Sequence, residues 1–115
     1  MKYNSPITIS AILAYPTVKT GCILCDAVAE TLQDTTIKDC KMLAARMGQK
    51  REYLSGAIRV QTGIGMAEFL KQVRILKLRA YLISHPAEDK LSVARRFGFS
   101  GRNTLRQFIK KYVRV

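Results

Sequence analysis

Scarcities in this chain of 115 residues narrow its class before any motif is considered. No apolar run approaches the roughly 20 residues that a membrane-spanning helix requires. The opening MKYNSPITIS has neither the compact apolar segment nor the small-residue cleavage site of a secretory leader, so a cytoplasmic protein without a membrane partner is expected. Three cysteines, Cys22, Cys25 and Cys40, are an odd number in a chain rich in core-forming residues, which argues for reduced thiols rather than a disulfide framework. The single histidine, His85, offers no pairing of nucleophile and base; standing before Pro86, it reads as a helix-end residue near carbonyl groups. Three prolines and seven glycines beside 48% apolar residues exclude a disordered composition. Gly63-Ile64-Gly65 follows no strand and precedes no Gly-Lys-Ser/Thr, which excludes a phosphate loop and leaves a helix junction. No catalytic site and no cofactor is expected from this inventory.

Acidic residues are also scarce, 8 against 20 Lys and Arg, for a net charge of +12. From Thr35 onward there are 18 basic residues and 5 acidic ones, so the positive field belongs to the second part of the chain alone. A pI near 10.1 is the footprint expected of a nucleic-acid binder, because basic side chains near phosphates release condensed counterions. A solvated basic surface kept for solubility is the competing explanation, and position decides between them.

Residues 1–34 are expected to form an N-terminal arm and a packing helix. Partial alternation at Ile7, Ile9 and Ala11 between Pro6 and Pro16 points to a short strand or extended arm, and Ile23, Ala27 and Leu32 predict a helix ending near Asp34. Residues 35–115 are helical in pattern, with breaks at Gly48, Gly63–Gly65, His85–Asp89 and Gly98–Gly101. Asp39 is placed to cap a helix whose apolar face is Cys40, Leu43, Ala44 and Met47, ended by Gly48. The next helix carries Tyr53, Leu54, Ala57 and Ile58 on one face and Arg51, Ser55 and Arg59 on the other, stopping at Gly63. A long helix from Gly65 through Ile83 has apolar residues on more than one stripe, so both its sides should be packed. Pro86 closes it.

The helix-turn-helix pattern then returns. AARMG at Ala44–Gly48 is matched by ARRFG at Ala94–Gly98, 50 residues on, and Leu54 and Ile58 are matched by Leu105 and Ile109. Small Ala at a helix crossing and Gly in the turn are what close packing of two short helices requires, which supports an internal duplication. The fold class expected is all-α, with two helix-turn-helix subdomains joined by a long linker helix.

ARRFGFSGRNTLRQFIKKY, around Gly98, Phe99, Ser100, Leu105 and Ile109, resembles the signature of the AraC/XylS family of transcription regulators. YLSGAIRVQTGIGMAEFLKQVRI resembles the segment in which Leu54, Gly63, Phe69, Leu70, Arg74 and Ile75 hold family positions. The resemblance covers residues 37 to 113. It departs at Lys50, where the family usually has a capping Ser, at Leu78, which replaces a usual Ala, and at Lys90, a usually apolar position. Ser55 and Gly56 stand where the family often carries base-reading side chains, which implies weak reading by the first unit. The resemblance further implies a structural ion pair for Arg74, with Asp39 or Glu68 as candidate partners.

In such a unit the second helix enters the major groove and its polar N-terminal half meets base edges. The candidate contacts are Arg102, Asn103, Thr104, Arg106 and Gln107 in the second unit and Arg51, Glu52, Ser55 and Arg59 in the first; Lys50, Lys110, Lys111 and Arg114 suit phosphate better. Arginine can pair with guanine, Asn and Gln with adenine, and the Thr methyl with thymine. The expected function is a sequence-specific double-stranded DNA-binding regulator, an activator, whose two recognition helices occupy successive major grooves. RNA polymerase is a candidate protein partner, and the chain is expected as a monomer or a weak dimer through its N-terminal segment. An architectural or recombination accessory factor is the alternative, and a thiol-based sensor is a third class. Cys22 and Cys25 have the spacing of a metal knuckle or redox pair, but no second ligand pair accompanies them, and core cysteines are expected. Residues 1–34 are expected to cover Leu76, Leu78 and Ile83 on the second side of the linker helix.

Overall fold

A computed structural model of the chain describes residues 13–15, 17 and 21–113. The strand or arm expected over residues 7–11 and the phosphate contact expected of Arg114 lie outside them. Among the described residues there are six helices and no strand: α1 (Ile23–Thr31), α2 (Cys40–Met47), α3 (Arg51–Thr62), α4 (Met66–Ser84), α5 (Lys90–Arg96) and α6 (Arg102–Tyr112).

Local chemistry sets these boundaries. Asp39 accepts from Met42 N at 2.8 Å and starts α2, while Asp89 accepts from Leu91 N and Ser92 N and starts α5. Such caps satisfy amides that have no partner inside the helix. The turn ending the first helix of each pair is built twice with the same bonds. Gly48 N donates to Ala45 O and Gln49 N to Ala44 O; Gly98 N donates to Arg95 O and Phe99 N to Ala94 O. Gly48 and Gly98 have φ of 65° and 74°, the left-handed region in which a side chain would be strained. The duplication inferred from spacing is therefore present in three dimensions.

The linker helix α4 joins two separate cores. Met66, Phe69, Leu70 and Val73 in its first half pack with Val28, Ala29, Leu32, Ile37, Leu43, Ala44, Leu54 and Ile58. Leu78 and Leu82 in its second half pack with Val93, Ala94, Phe97, Leu105 and Val113. At 3.6 residues per turn these two stripes lie roughly half a turn apart around the helix axis, so the two helical pairs sit on opposite sides of α4. Both of its sides are packed, as its apolar pattern predicts.

Of the described N-terminal residues, those of α1 form a packing helix, but they join the first core and not the second side of the linker helix. Helix α1 ends at Thr31, short of Asp34, because Asp34 turns to bind the hydroxyl and amide of Thr36 at 2.6 and 3.0 Å. Val28, Ala29 and Leu32 join the first core. Leu78 is buried by the second helical pair, while Leu76 and Ile83 remain 38% and 58% exposed. Tyr53 likewise lies outside the core face of α3, 57% exposed. It sits one position before Leu54 and so about 100° away from the stripe that Leu54 and Ile58 define.

The turn after α1 instead reaches across to the second unit. Thr35 Oγ1 donates to Arg96 O at 2.6 Å, and Lys77 Nζ donates to Leu32 O at 2.7 Å. A methyl group on Gly98 would sit 2.8 Å from Thr36 O, so this backbone contact tolerates no side chain. The segment 34–37 thus fastens the end of α5 to the first unit.

Candidate nucleic-acid interface

Helices α3 and α6 are the second members of the two pairs; three residues separate α3 from α2 and five separate α6 from α5. Neither has a side-chain cap: Lys50 and Gly101 occupy the N-cap positions without a capping hydrogen bond. The two preceding helices α2 and α5 are both capped by Asp. The first amides of α3 and α6 are therefore left to outside acceptors, and a helix N-terminus with free amides suits phosphate.

Of the residues singled out from the sequence, Lys50, Arg51, Glu52, Arg59, Arg102, Asn103, Thr104, Arg106, Gln107, Lys110 and Lys111 are exposed and Ser55 is half-buried. Between Arg102 and Gln107 only Leu105 points inward, fully buried in the second core. Ion pairs among the described residues join Arg46 to Asp34, Lys71 to Glu68 and Arg96 to Glu88, and involve none of these side chains. Helix α6 contains no acidic residue, and Glu52 is the one acid on α3. The remaining carboxylates after Thr35 are occupied as caps, Asp39 and Asp89, or by basic neighbours. The positive field of these two helices is thus left unneutralised at the surface.

Two of the candidates have local duties. The guanidinium of Arg59 lies over the α3–α4 junction, where its Nη2 would be 3.1 Å from a methyl group on Gly65. Thr104 shares a hydrogen bond of 2.8 Å with Ser100 across the first turn of α6. That bond orients the Thr104 side chain.

Residues 43–115 match a family model described as a helix-turn-helix domain, of the AraC type. The chain belongs to the AraC/XylS-type helix-turn-helix family. No curated protein and no solved structure matches it. Members of this family carry a DNA-binding domain of transcription regulators, a regulatory module rather than an enzyme. No helix among the described residues is long and apolar enough to cross a membrane.

The family's arginine, Arg74, has a packing role here but not the ion pair expected of it. Neither Asp39 nor Glu68 reaches it: Asp39 caps α2 and Glu68 holds Lys71 at 3.0 Å and Gln72 at 2.9 Å. Arg74 Nη2 donates to Phe97 O at 3.0 Å, and its guanidinium lies over the rings of Phe99 at 4.0 Å and Phe108 at 5.3 Å. Its Nε is buried with no hydrogen-bond partner among the described residues. Burial lowers the pKa of Arg74, and of Lys77 one turn further on, from their ordinary values. Both cations stabilise the linker by donating to backbone carbonyls of flanking segments, and packing against ring faces offsets part of the desolvation of Arg74.

Sequence reasoning missed two features of this surface. On α3, Tyr53 and Val60 are 57% and 76% exposed and flank Gly56, around which there is open space. The signal was their spacing about two turns apart on the side away from Leu54 and Ile58. Between α4 and α6 there is also a groove of about 320 Å³, lined in part by Lys38, Arg74, Thr104, Gln107 and Lys111. It joins residues far apart in the chain, and no local pattern announces it.

The cysteine pair is local structure. Cys22 is the N-cap of α1, its Sγ accepting from Cys25 N at 3.4 Å. Burial pushes the Cys25 thiol up to about 12, which favours its protonated form at neutral pH.

Proposed function

We propose that this protein is a sequence-specific double-stranded DNA-binding transcription regulator, an activator, that places α3 and α6 in successive major grooves. One observation carries the reading. Two copies of one helix-turn-helix geometry, on a common linker helix, both present a helix start without a side-chain cap and exposed polar side chains that have no ion-pair partner among the described residues. Base readout falls mainly to α6. Arg102, Asn103, Arg106 and Gln107 offer guanine- and adenine-matching groups, and Lys110 and Lys111 offer charge to phosphate. Helix α3 has poorer polar chemistry at Glu52, Ser55 and Gly56; its exposed Tyr53 and Val60 suit apolar contact with thymine methyl groups. The protein works in the cytoplasm, where RNA polymerase is its candidate protein partner.

Selection of bound duplexes from a random pool tests the reading. A compact consensus is expected, and Arg102→Ala should relax it at one position at a cost of about 1–3 kcal/mol, whereas Lys110→Ala should weaken all duplexes alike. The weak polar face of α3 favours a second reading, an architectural factor with little base preference. A pool that yields no consensus would favour that one.

A further inference from the structure

The groove between α4 and α6 shares Gln107 and Lys111 with the duplex reading, but its other groups, Lys38, Arg74 and three aromatic rings, have no part in that reading. Its cationic side chains are Lys38, Arg74 and Lys111, and no acidic residue lines it. Its walls include the rings of Phe99, Phe108 and Tyr112, packed edge-to-face or tilted at 5.2 and 5.0 Å between successive centroids. Hydroxyl and amide groups of Ser100, Thr104 and Gln107 complete it. Arg74 brings a half-buried guanidinium that no carboxylate among the described residues neutralises, with a buried Nε that lacks an acceptor. An uncompensated cation in a partly desolvated setting gains most from an anion delivered to it, because charge-assisted hydrogen bonds are strongest where water is excluded. The volume, about 320 Å³, is at the lower end of the range of small-molecule sites.

We propose that this groove is a binding site for a small organic carboxylate carried on an aromatic or other apolar body. The carboxylate meets Arg74, Lys38 and Lys111, and the body lies against Phe99, Phe108 and Tyr112. A phosphodiester offers nothing to those rings, which favours the organic anion over a backbone phosphate. Thr104, Gln107 and Lys111 line the groove and also belong to the outward side of α6, so a bound carboxylate competes with duplex for that helix. The site itself goes beyond the duplex reading; only this competition rests on it.

Calorimetric titration of the full chain, without DNA, tests the site. The probe is biphenyl-4-carboxylate, compared with uncharged biphenyl-4-methanol and with dimethyl phosphate. Saturable binding of the carboxylate is expected, with both comparison compounds weaker by tenfold or more, about the effect of losing one charge-assisted hydrogen bond. Lys38→Gln and Lys111→Gln, both at exposed positions, should each weaken the carboxylate about two- to fivefold while the thermal unfolding midpoint stays unchanged. Absence of saturable binding, equal binding of the alcohol, or affinity indifferent to both substitutions would overturn the proposal. Dimethyl phosphate binding as tightly as the carboxylate would overturn it too, in favour of a seat for DNA phosphate. Because no duplex is present, none of these failures touches the assignment of DNA binding.

Discussion

Gly98 meets two demands at one position: a backbone at φ 74° and a Cα approach to Thr36 that leaves no room for a methyl group. Its counterpart Gly48 meets only the first, with open space around it. Gly48→Ala should therefore cost about 1 kcal/mol, the strain of a left-handed alanine, and Gly98→Ala about 2–3 kcal/mol or more, as strain and clash add. Urea unfolding of the two variants measures the difference, and equal losses would show that the Thr36 contact is unimportant. Asp34 acts on the same seam. Hydrogen bonds from the Thr36 hydroxyl, from Arg46 and from the Thr36 amide hold its carboxyl at about 2, below its ordinary 3.8. The unfolded chain therefore takes up the proton more readily than the folded one. The resulting stability is complete above 3.8 and is lost as pH falls through that value towards about 2. Asp34→Asn should flatten this acid limb of the stability profile, measured as the urea midpoint through that range. Neither residue role was legible beforehand. The sequence marks Gly98 as a turn and Asp34 as a helix end, but the contact between Thr35 and Arg96 spans 61 positions and leaves no periodic trace.

At the level of helices, far more could be read in advance. Asp39, Gly48 and Gly63 fix helix ends through side-chain or left-handed caps, and each acts within a few residues of itself. The apolar spacing of α4 likewise forced two packed sides. What failed was the choice between adjacent apolar residues: Tyr53 and Leu54 both fit an amphipathic pattern, and only packing decides that Leu54 is the buried one. The departure at Lys50 proved physical, since α3 starts without a side-chain cap. Lys50→Ser should supply one and raise stability by about 1 kcal/mol in thermal or urea unfolding. The same change removes a charge and competes for amides that otherwise face phosphate, so duplex affinity should fall as stability rises. A rise in both would indicate that the start of α3 stands away from DNA.

The described structure is elongated, 48 × 26 × 23 Å, and the long axis exceeds the roughly 34 Å between successive major-groove faces of a duplex. Two cores on opposite sides of one 19-residue helix, fastened by Arg74, Lys77 and the segment 34–37, set the separation of α3 and α6 without a flexible linker. Under the proposed reading one chain would address an asymmetric site, and a duplex that did not match its spacing would have to bend. The direct measurement is a hydroxyl-radical footprint of the wild-type protein on a selected duplex. Two protected segments about one helical turn apart are predicted, the one facing α6 losing protection in Arg102→Ala while the other persists. Protection confined to one short segment would contradict the account, because a pair of helices held at fixed distance by α4 cannot both engage so small a stretch.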